Sequence, residues 1–200
     1  MLYLLRKLIS AIKPKPQVFV AKGCFSPWYN SKSLIDYYVT NIDESVPCQA
    51  TVTCKNVDNM NYMFGHCRNL TSLDLSNFDT SKVTNMWGMF CGCRSLTTLD
   101  LSGFDTSNVL DMSFMFDSCY SLTTLDLSNF NTSKVRNMSY MFYNCPRLTT
   151  IKGVIDMKSC EYCGNMFTNC PKLTGVKIKN PPAGFEIHAC ISKSQYTIVS

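Results

Sequence analysis

Five ten-residue windows share one Met-Phe-x-x-Cys-x-x-Leu frame: NYMFGHCRNL (61–70), WGMFCGCRSL (87–96), SFMFDSCYSL (113–122), SYMFYNCPRL (139–148) and GNMFTNCPKL (164–173). Their phenylalanines, Phe64, Phe90, Phe116, Phe142 and Phe167, are spaced by 26, 26, 26 and 25 residues. A period between roughly 20 and 29 residues is that of a solenoid, in which one unit cannot bury its own apolar face and has to stack on the next. This register constrains the fold more than any other feature of the chain.

Each unit can be read in physical terms. LTSLDLS (70–76) alternates, which predicts a short strand with its leucines inward and Ser72, Asp74 and Ser76 outward. NFDTS (77–81) supplies turn and capping chemistry, with Asp79, Thr80 and Ser81 placed to accept bonds from free helix N–H groups. KVTNMWGMF (82–90) then sets Val83, Met86, Met89 and Phe90 at helical spacing on one inward face. The expected fold is an α/β repeat: a short right-handed solenoid resembling leucine-rich repeats. It would carry a parallel β-sheet on one face, with a step of about 4.8 Å per coil, and short helices on the other. The expected organisation is a basic amphipathic helix over 1–16, an N-terminal cap over 17–51, five coils over 52–178 and a C-terminal cap over 179–200. CQATV (48–52) is a degenerate first strand, and Pro181 and Pro182 close the last one, since proline continues neither ladder nor helix.

Composition narrows the function classes. With 46% hydrophobic and 16% charged residues, a chain of 200 residues can bury a sizeable core, so its 12 cysteines are not needed as staples. The net charge of +5 is spread without a dense Lys/Arg block, which argues against a nucleic-acid groove. The N-terminal apolar run is cut by Arg6, Lys7 and KPKP (13–16), so no transmembrane segment is expected there. A secretory signal also fits poorly, because the apolar residues precede the basic pair.

Cys67, Cys93, Cys119, Cys145 and Cys170 occupy one slot in successive coils. Side chains stacked in a row cannot surround a zinc ion tetrahedrally, and parallel Cβ vectors miss disulfide geometry, so a buried ladder of free thiols is expected. The rival is Cys160, Cys163 and Cys170, which could bind zinc if the terminal segment folds back with His188 and Cys190. Register from Phe167 instead puts Cys160 and Cys163 in the core slots of Val83 and Met86. No metal and no cofactor is expected. His66 falls in a variable slot and reads as an exposed loop residue, and Cys91 lies outside the thiol row and is expected to be exposed without a general base. No phosphate loop, nucleophile elbow or carboxylate pair is present, so the chain reads as non-enzymatic.

Binding is expected on the sheet face. Its outward rows are Ser72, Thr98, Thr124, Thr150 and Gly175; Asp74, Asp100, Asp126, Lys152 and Lys177; and Ser76, Ser102 and Ser128. Three stacked aspartates repel by about 1 kcal/mol per adjacent pair in water. Such a face either stays solvated or meets a polar partner, and a protein or glycan ligand is expected there. Tyr62, Trp87, Phe114 and Tyr140 form a second, aromatic contact row on the opposite side. Leu2, Leu5, Leu8, Ile9 and Ile12 share a helical face with Arg6, Lys7 and Lys13 opposite, which favours docking, a homo-oligomer or a larger assembly over membrane binding.

The repeat LTSLDLSNFDTSKVTNMWGMF, with LDLSNFDTS recurring nearly unchanged at Leu73, Leu99 and Leu125, resembles the BspA-like leucine-rich repeat of bacterial surface proteins, a type also found in some protist and phage proteins. The resemblance implies an extracellular adhesion or ligand-binding module on a bacterial or phage surface. The alternative it leaves is a structural assembly or decoration protein, such as a virion component, docked through residues 1–16. The chain departs from the generic pattern by placing Phe78, Phe104 and Phe130 where an asparagine ladder would lie, and it shows no clear signal peptide, lipobox or wall-sorting tail.

Overall fold

Alternate N–H groups of each Met-Phe segment are donated to the next repeat, not to the segment's own carbonyls: Met60 to Asn85, Tyr62 to Trp87, Phe64 to Met89 and His66 to Cys91, at 2.6–2.9 Å. The same four bonds recur one repeat later, from Met86 to Asp111 through Gly92 to Asp117, at 2.7–2.9 Å. These bonds are seen in a computed structural model that describes residues 58–200 and the strands β1 (Gln17–Val20) and β2 (Cys48–Cys54). The helix expected over 1–16 and most of the cap expected over 17–51 lie outside the described residues.

The stacking places each repeat's apolar side chains in continuous inward rows. Phe64, Phe90, Phe116, Phe142 and Phe167 stack with centroids 5.4–5.7 Å apart and planes within 8°. Phe78, Phe104 and Phe130 form a second stack at 6.1 and 6.4 Å. Between them lie the methionine, leucine and valine rows, almost all fully buried. Each buried phenylalanine contributes roughly 1.5–3 kcal/mol of transfer free energy, so the repeated stack outweighs any local preference within a coil.

The expected helices do not form. Residues 61–66, 87–92, 113–118, 139–144 and 164–169 are runs of turns, and among the described residues the one helix is α1 (Phe185–Ala189). Each run holds two residues in the left-handed region, Tyr62, Gly88, Phe114, Tyr140 and Asn165 first, and His66, Gly92, Ser118, Asn144 and Asn169 four residues later. Positive φ is incompatible with a right-handed helix. A six-residue segment also cannot meet the cost of helix nucleation, whereas bonds to the neighbouring coil satisfy its backbone directly.

On the other side the chain is extended. β2 pairs in parallel with β1 and with β3 (Leu70–Phe78). β4 (Thr124–Asp126) pairs in parallel with β5 (Thr150–Lys152). β6 (Val154–Asp156), β7 (Val176–Lys179) and β8 (Tyr196–Ile198) form a third parallel set. The expected single sheet is thus three shorter ones, and residues 97–100 between β3 and β4 form no strand. Gly153 separates β5 from β6 at φ +95°, and a Cβ there would lie 2.7 Å from the Leu127 carbonyl. Only glycine fits that close approach.

The strand before Pro181 is not the last. After the prolines, α1 and β8 complete a further partial coil: Asn165 and Phe167 donate to the carbonyls of His188 and Ala189, and Val176 donates to Gln195. Gln195 Nε2 reaches back to the carbonyls of Cys170 and Leu173, at 3.2 and 3.1 Å. Phe185 packs edge-on against Tyr196, whose hydroxyl bonds Glu186.

Candidate binding surface

The outward strand residues form a regular exposed grid. Asp74, Ser76, Thr98, Asp100, Ser102, Thr124, Asp126, Ser128, Thr150 and Lys152 are exposed, and Ser72 is half-buried. Register sets Thr124 beside Thr150 and Asp126 beside Lys152, whose Nζ lies 3.7 Å from Asp126 Oδ2. The aspartates have a local cause. Asp74, Asp100 and Asp126 each accept the N–H two residues on, from Ser76, Ser102 and Ser128, at 2.9–3.0 Å. These Asx turns satisfy an N–H that the strands leave free. The Ser102 N–H and hydroxyl hold the Asp100 carboxyl below its ordinary range, and the Ser128 hydroxyl and N–H do the same for Asp126. Lys177 does not stack on Lys152 as its spacing suggested; the break at Gly153 shifts register, and Lys177 pairs with Val154.

The aromatic row lies on the turn side. Tyr62 and Trp87 meet edge-on at 4.6 Å, Trp87 and Phe114 edge-on at 6.4 Å, and Phe114 and Tyr140 stack at 4.6 Å. All four are half-buried. Gly88, at φ +61°, holds the slot that Tyr62, Phe114 and Tyr140 fill, and a Cβ there would lie 2.8 Å from the Tyr62 ring. Trp87 closes the row from the neighbouring position.

The five row cysteines are all buried. Cys93, Cys119, Cys145 and Cys170 each donate to a phenylalanine carbonyl of the preceding coil, Phe64, Phe90, Phe116 and Phe142, at 2.9–3.2 Å. Burial pushes the Cys93 and Cys119 thiols well above their ordinary value. Cys91, expected to be exposed, is 3% exposed. Its thiol bonds Asp117 Oδ2 of the next coil at 3.4 Å and interacts with the Tyr62 hydroxyl of the previous one. Burial, then the Asp117 charge, push it up to about 12, and a thiol that resists ionising is a poor nucleophile.

At the end of the stack, Cys163 is buried and Cys160 partly buried against the core. His188 and Cys190 are exposed, and Cys190 Sγ bonds Asn165 Oδ1 at 3.4 Å. Among the described residues no group of three His, Cys, Asp or Glu side chains is placed to hold a metal ion. No helix among the described residues is long and apolar enough to cross a membrane.

Two rows escaped the sequence reading. Thr80, Thr106 and Thr132 are buried and bond the next coil, where capping of helix ends was expected. Arg68, Arg94, Tyr120, Arg147 and Lys172 line the edge between the turns and the strands, the four cations exposed and Tyr120 half-buried. Arg94 lies over the Tyr120 ring at 5.1 Å, and Asn144 Nδ2 donates to the Tyr120 hydroxyl at 3.3 Å, which joins three coils. The signal was a basic residue recurring one or two positions after the row cysteine.

No curated protein and no solved structure matches the chain. A family model covering residues 53–180, and so all five Met-Phe frames and the extended segments between them, does match it, and the chain belongs to the family described as Mycoplasma protein of unknown function, DUF285.

Proposed function

We propose that this protein is a non-enzymatic recognition module whose repeats form a short right-handed solenoid of BspA-like type. It presents a rigid surface to a protein or glycan ligand on a bacterial or phage surface. The observation that carries this reading is the exposed grid of Thr98, Asp100, Thr124, Asp126, Thr150 and Lys152, in which Thr124–Asp126 pairs in register with Thr150–Lys152. A grid fixed by stacked coils loses little conformational entropy on binding. The non-enzymatic part is supported by the row thiols Cys93, Cys119, Cys145 and Cys170 being buried and bonded to carbonyls.

The partner-contact role of Tyr62, Trp87, Phe114 and Tyr140 belongs to the same reading, since half-buried aromatics combine apolar area with low ordering cost. A screen of immobilised glycans and extracellular matrix proteins against the full chain tests it. The expected result is a saturable ligand whose affinity falls about tenfold or more when Asp74, Asp100 and Asp126 are all replaced by Asn. A ligand bound equally well by that variant would remove the sheet face from the proposal.

A further inference from the structure

Residues 26 apart in the sequence become neighbours one coil apart in the stack, and this gathers cations that look dispersed along the chain. The five segments 65–69, 91–95, 117–121, 143–147 and 168–172 contain Arg68, Arg94, Arg147 and Lys172, and Asp117 as their single acidic residue. Asp117 is engaged by Ser118 Oγ at 2.8 Å and by the Cys91 thiol at 3.4 Å. None of the four cations is ion-paired with a described carboxylate. The aspartate row has a turn-forming reason to exist. Arg68, Arg147 and Lys172 have no comparable side-chain bond among the described residues, although Arg147 and Lys172 fall in the same slot of neighbouring coils, where like charges repel.

We propose that this row binds an unbranched acidic polysaccharide bearing carboxylates, its charged sugars meeting the paired cations on either side of the Tyr120 coil. Two pairs of exposed cations on neighbouring coils, Arg68 with Arg94 and Arg147 with Lys172, flank the coil that carries Tyr120, and suit a polymer whose charges recur along its length. Arginine forks match carboxylates in bidentate fashion. Neutral polar groups beside the cations, Ser118, Asn144 and Asn169, suit a chain rich in hydroxyls. Nucleic acid fits less well: Tyr120 is the one aromatic among the five row positions, and Arg94 lies over its ring, which leaves little stacking surface there for bases. This site is separate from the sheet-face grid and stands or falls independently of it.

The test uses the full chain titrated with polygalacturonate oligomers, with neutral dextran, oligodeoxythymidylate and polyglutamate in parallel. Polygalacturonate is expected to bind saturably and to weaken about tenfold between about 50 and about 300 mM NaCl, because the charges are exposed and screened. The R68Q/R94Q/R147Q/K172Q variant should lose about tenfold or more in affinity while still unfolding cooperatively, with its melting temperature lowered only by the loss of the Arg94 contact over Tyr120. The D74N/D100N/D126N variant should bind at least as tightly as the parent. Should the quadruple variant fail to fold, R94Q and R147Q singly are each expected to weaken binding about threefold. Absent polygalacturonate binding, undiminished binding by these variants, or tighter binding of oligodeoxythymidylate or polyglutamate would overturn the proposal.

Discussion

Thr106 engages both main-chain groups of Asn131, a residue of the next coil: its Oγ accepts the Asn131 N–H at 2.8 Å and its hydroxyl donates to the Asn131 carbonyl at 3.2 Å. Thr80 does the same for Asp105, and Thr132 for Asp156. These hydroxyls are buried, so each replaces two strand-like bonds where the backbone turns away from its neighbour. Thr106→Val keeps the shape and removes both bonds, leaving a donor and an acceptor unsatisfied at a cost of about 1–3 kcal/mol. Urea denaturation of Thr106→Val and Thr106→Ser compares the two; Ser should retain most of the stability. A Val variant within about 0.5 kcal/mol of the parent would show the ladder to be energetically idle.

The thiols should separate by position. Alkylation of the native protein with iodoacetamide at about pH 8, read by peptide mass mapping, is expected to modify exposed Cys190 first among the described cysteines. Cys93 and Cys119 should react only on unfolding, since burial raises their thiols and their S–H groups donate to the carbonyls of Phe64 and Phe90. Cys91 should behave like them. Labelling of native Cys91 at the rate of Cys190 would contradict its burial between Tyr62 and Asp117.

Gly88 combines a positive φ with contact against the Tyr62 ring. Gly88→Ala should therefore destabilise by about 1–2 kcal/mol, from left-handed strain and from displacement of that ring. In the Tyr62→Ala background the steric part disappears and only the backbone strain remains. Equal losses in both backgrounds, measured by thermal unfolding, would mean that the ring yields without cost.

Asp100, Asp105 and Asp126 have carboxyls held below their ordinary value, chiefly by the N–H and hydroxyl of the serine two residues on. The unfolded chain therefore takes up protons first as pH falls. The stabilisation is fully present above about pH 4, the unfolded value, and is lost as pH drops through the folded values. Asparagine at all three positions keeps the turn oxygen, as Asn131 already does toward the Ser133 N–H at 3.1 Å. The triple Asn variant should show a shallower fall in melting temperature between about pH 4 and 2. An identical slope would assign acid sensitivity to other groups.

Most of the core was legible in the repeat. A 26-residue register sends Phe64, Phe90, Phe116 and Phe142 to one place, and it does the same for the cysteines and the leucines, whatever the local conformation. The conformation of the Met-Phe segment was not legible from its apolar spacing. Val83, Met86, Met89 and Phe90 face inward equally well from a helix or from turns bonded to the next coil. The distinguishing sign was a slot occupied by Gly92, Ser118, Asn144 and Asn169, residues that tolerate left-handed backbone.

The sequence by itself thus determined the period, the inward rows and which residues face outward as far as Lys152, because these depend only on which residues share a slot. The tertiary structure alone decided what depends on the neighbouring coil. It buried Cys91 under groups from both sides, turned Thr80, Thr106 and Thr132 into inter-coil bridges, and replaced helices by turns. It also brought Arg68 and Arg94, and Arg147 and Lys172, onto neighbouring coils on either side of Tyr120. The physical reason is the same in each case: the bonds and charges that matter join residues about one repeat apart, a distance over which local sequence preference carries no information.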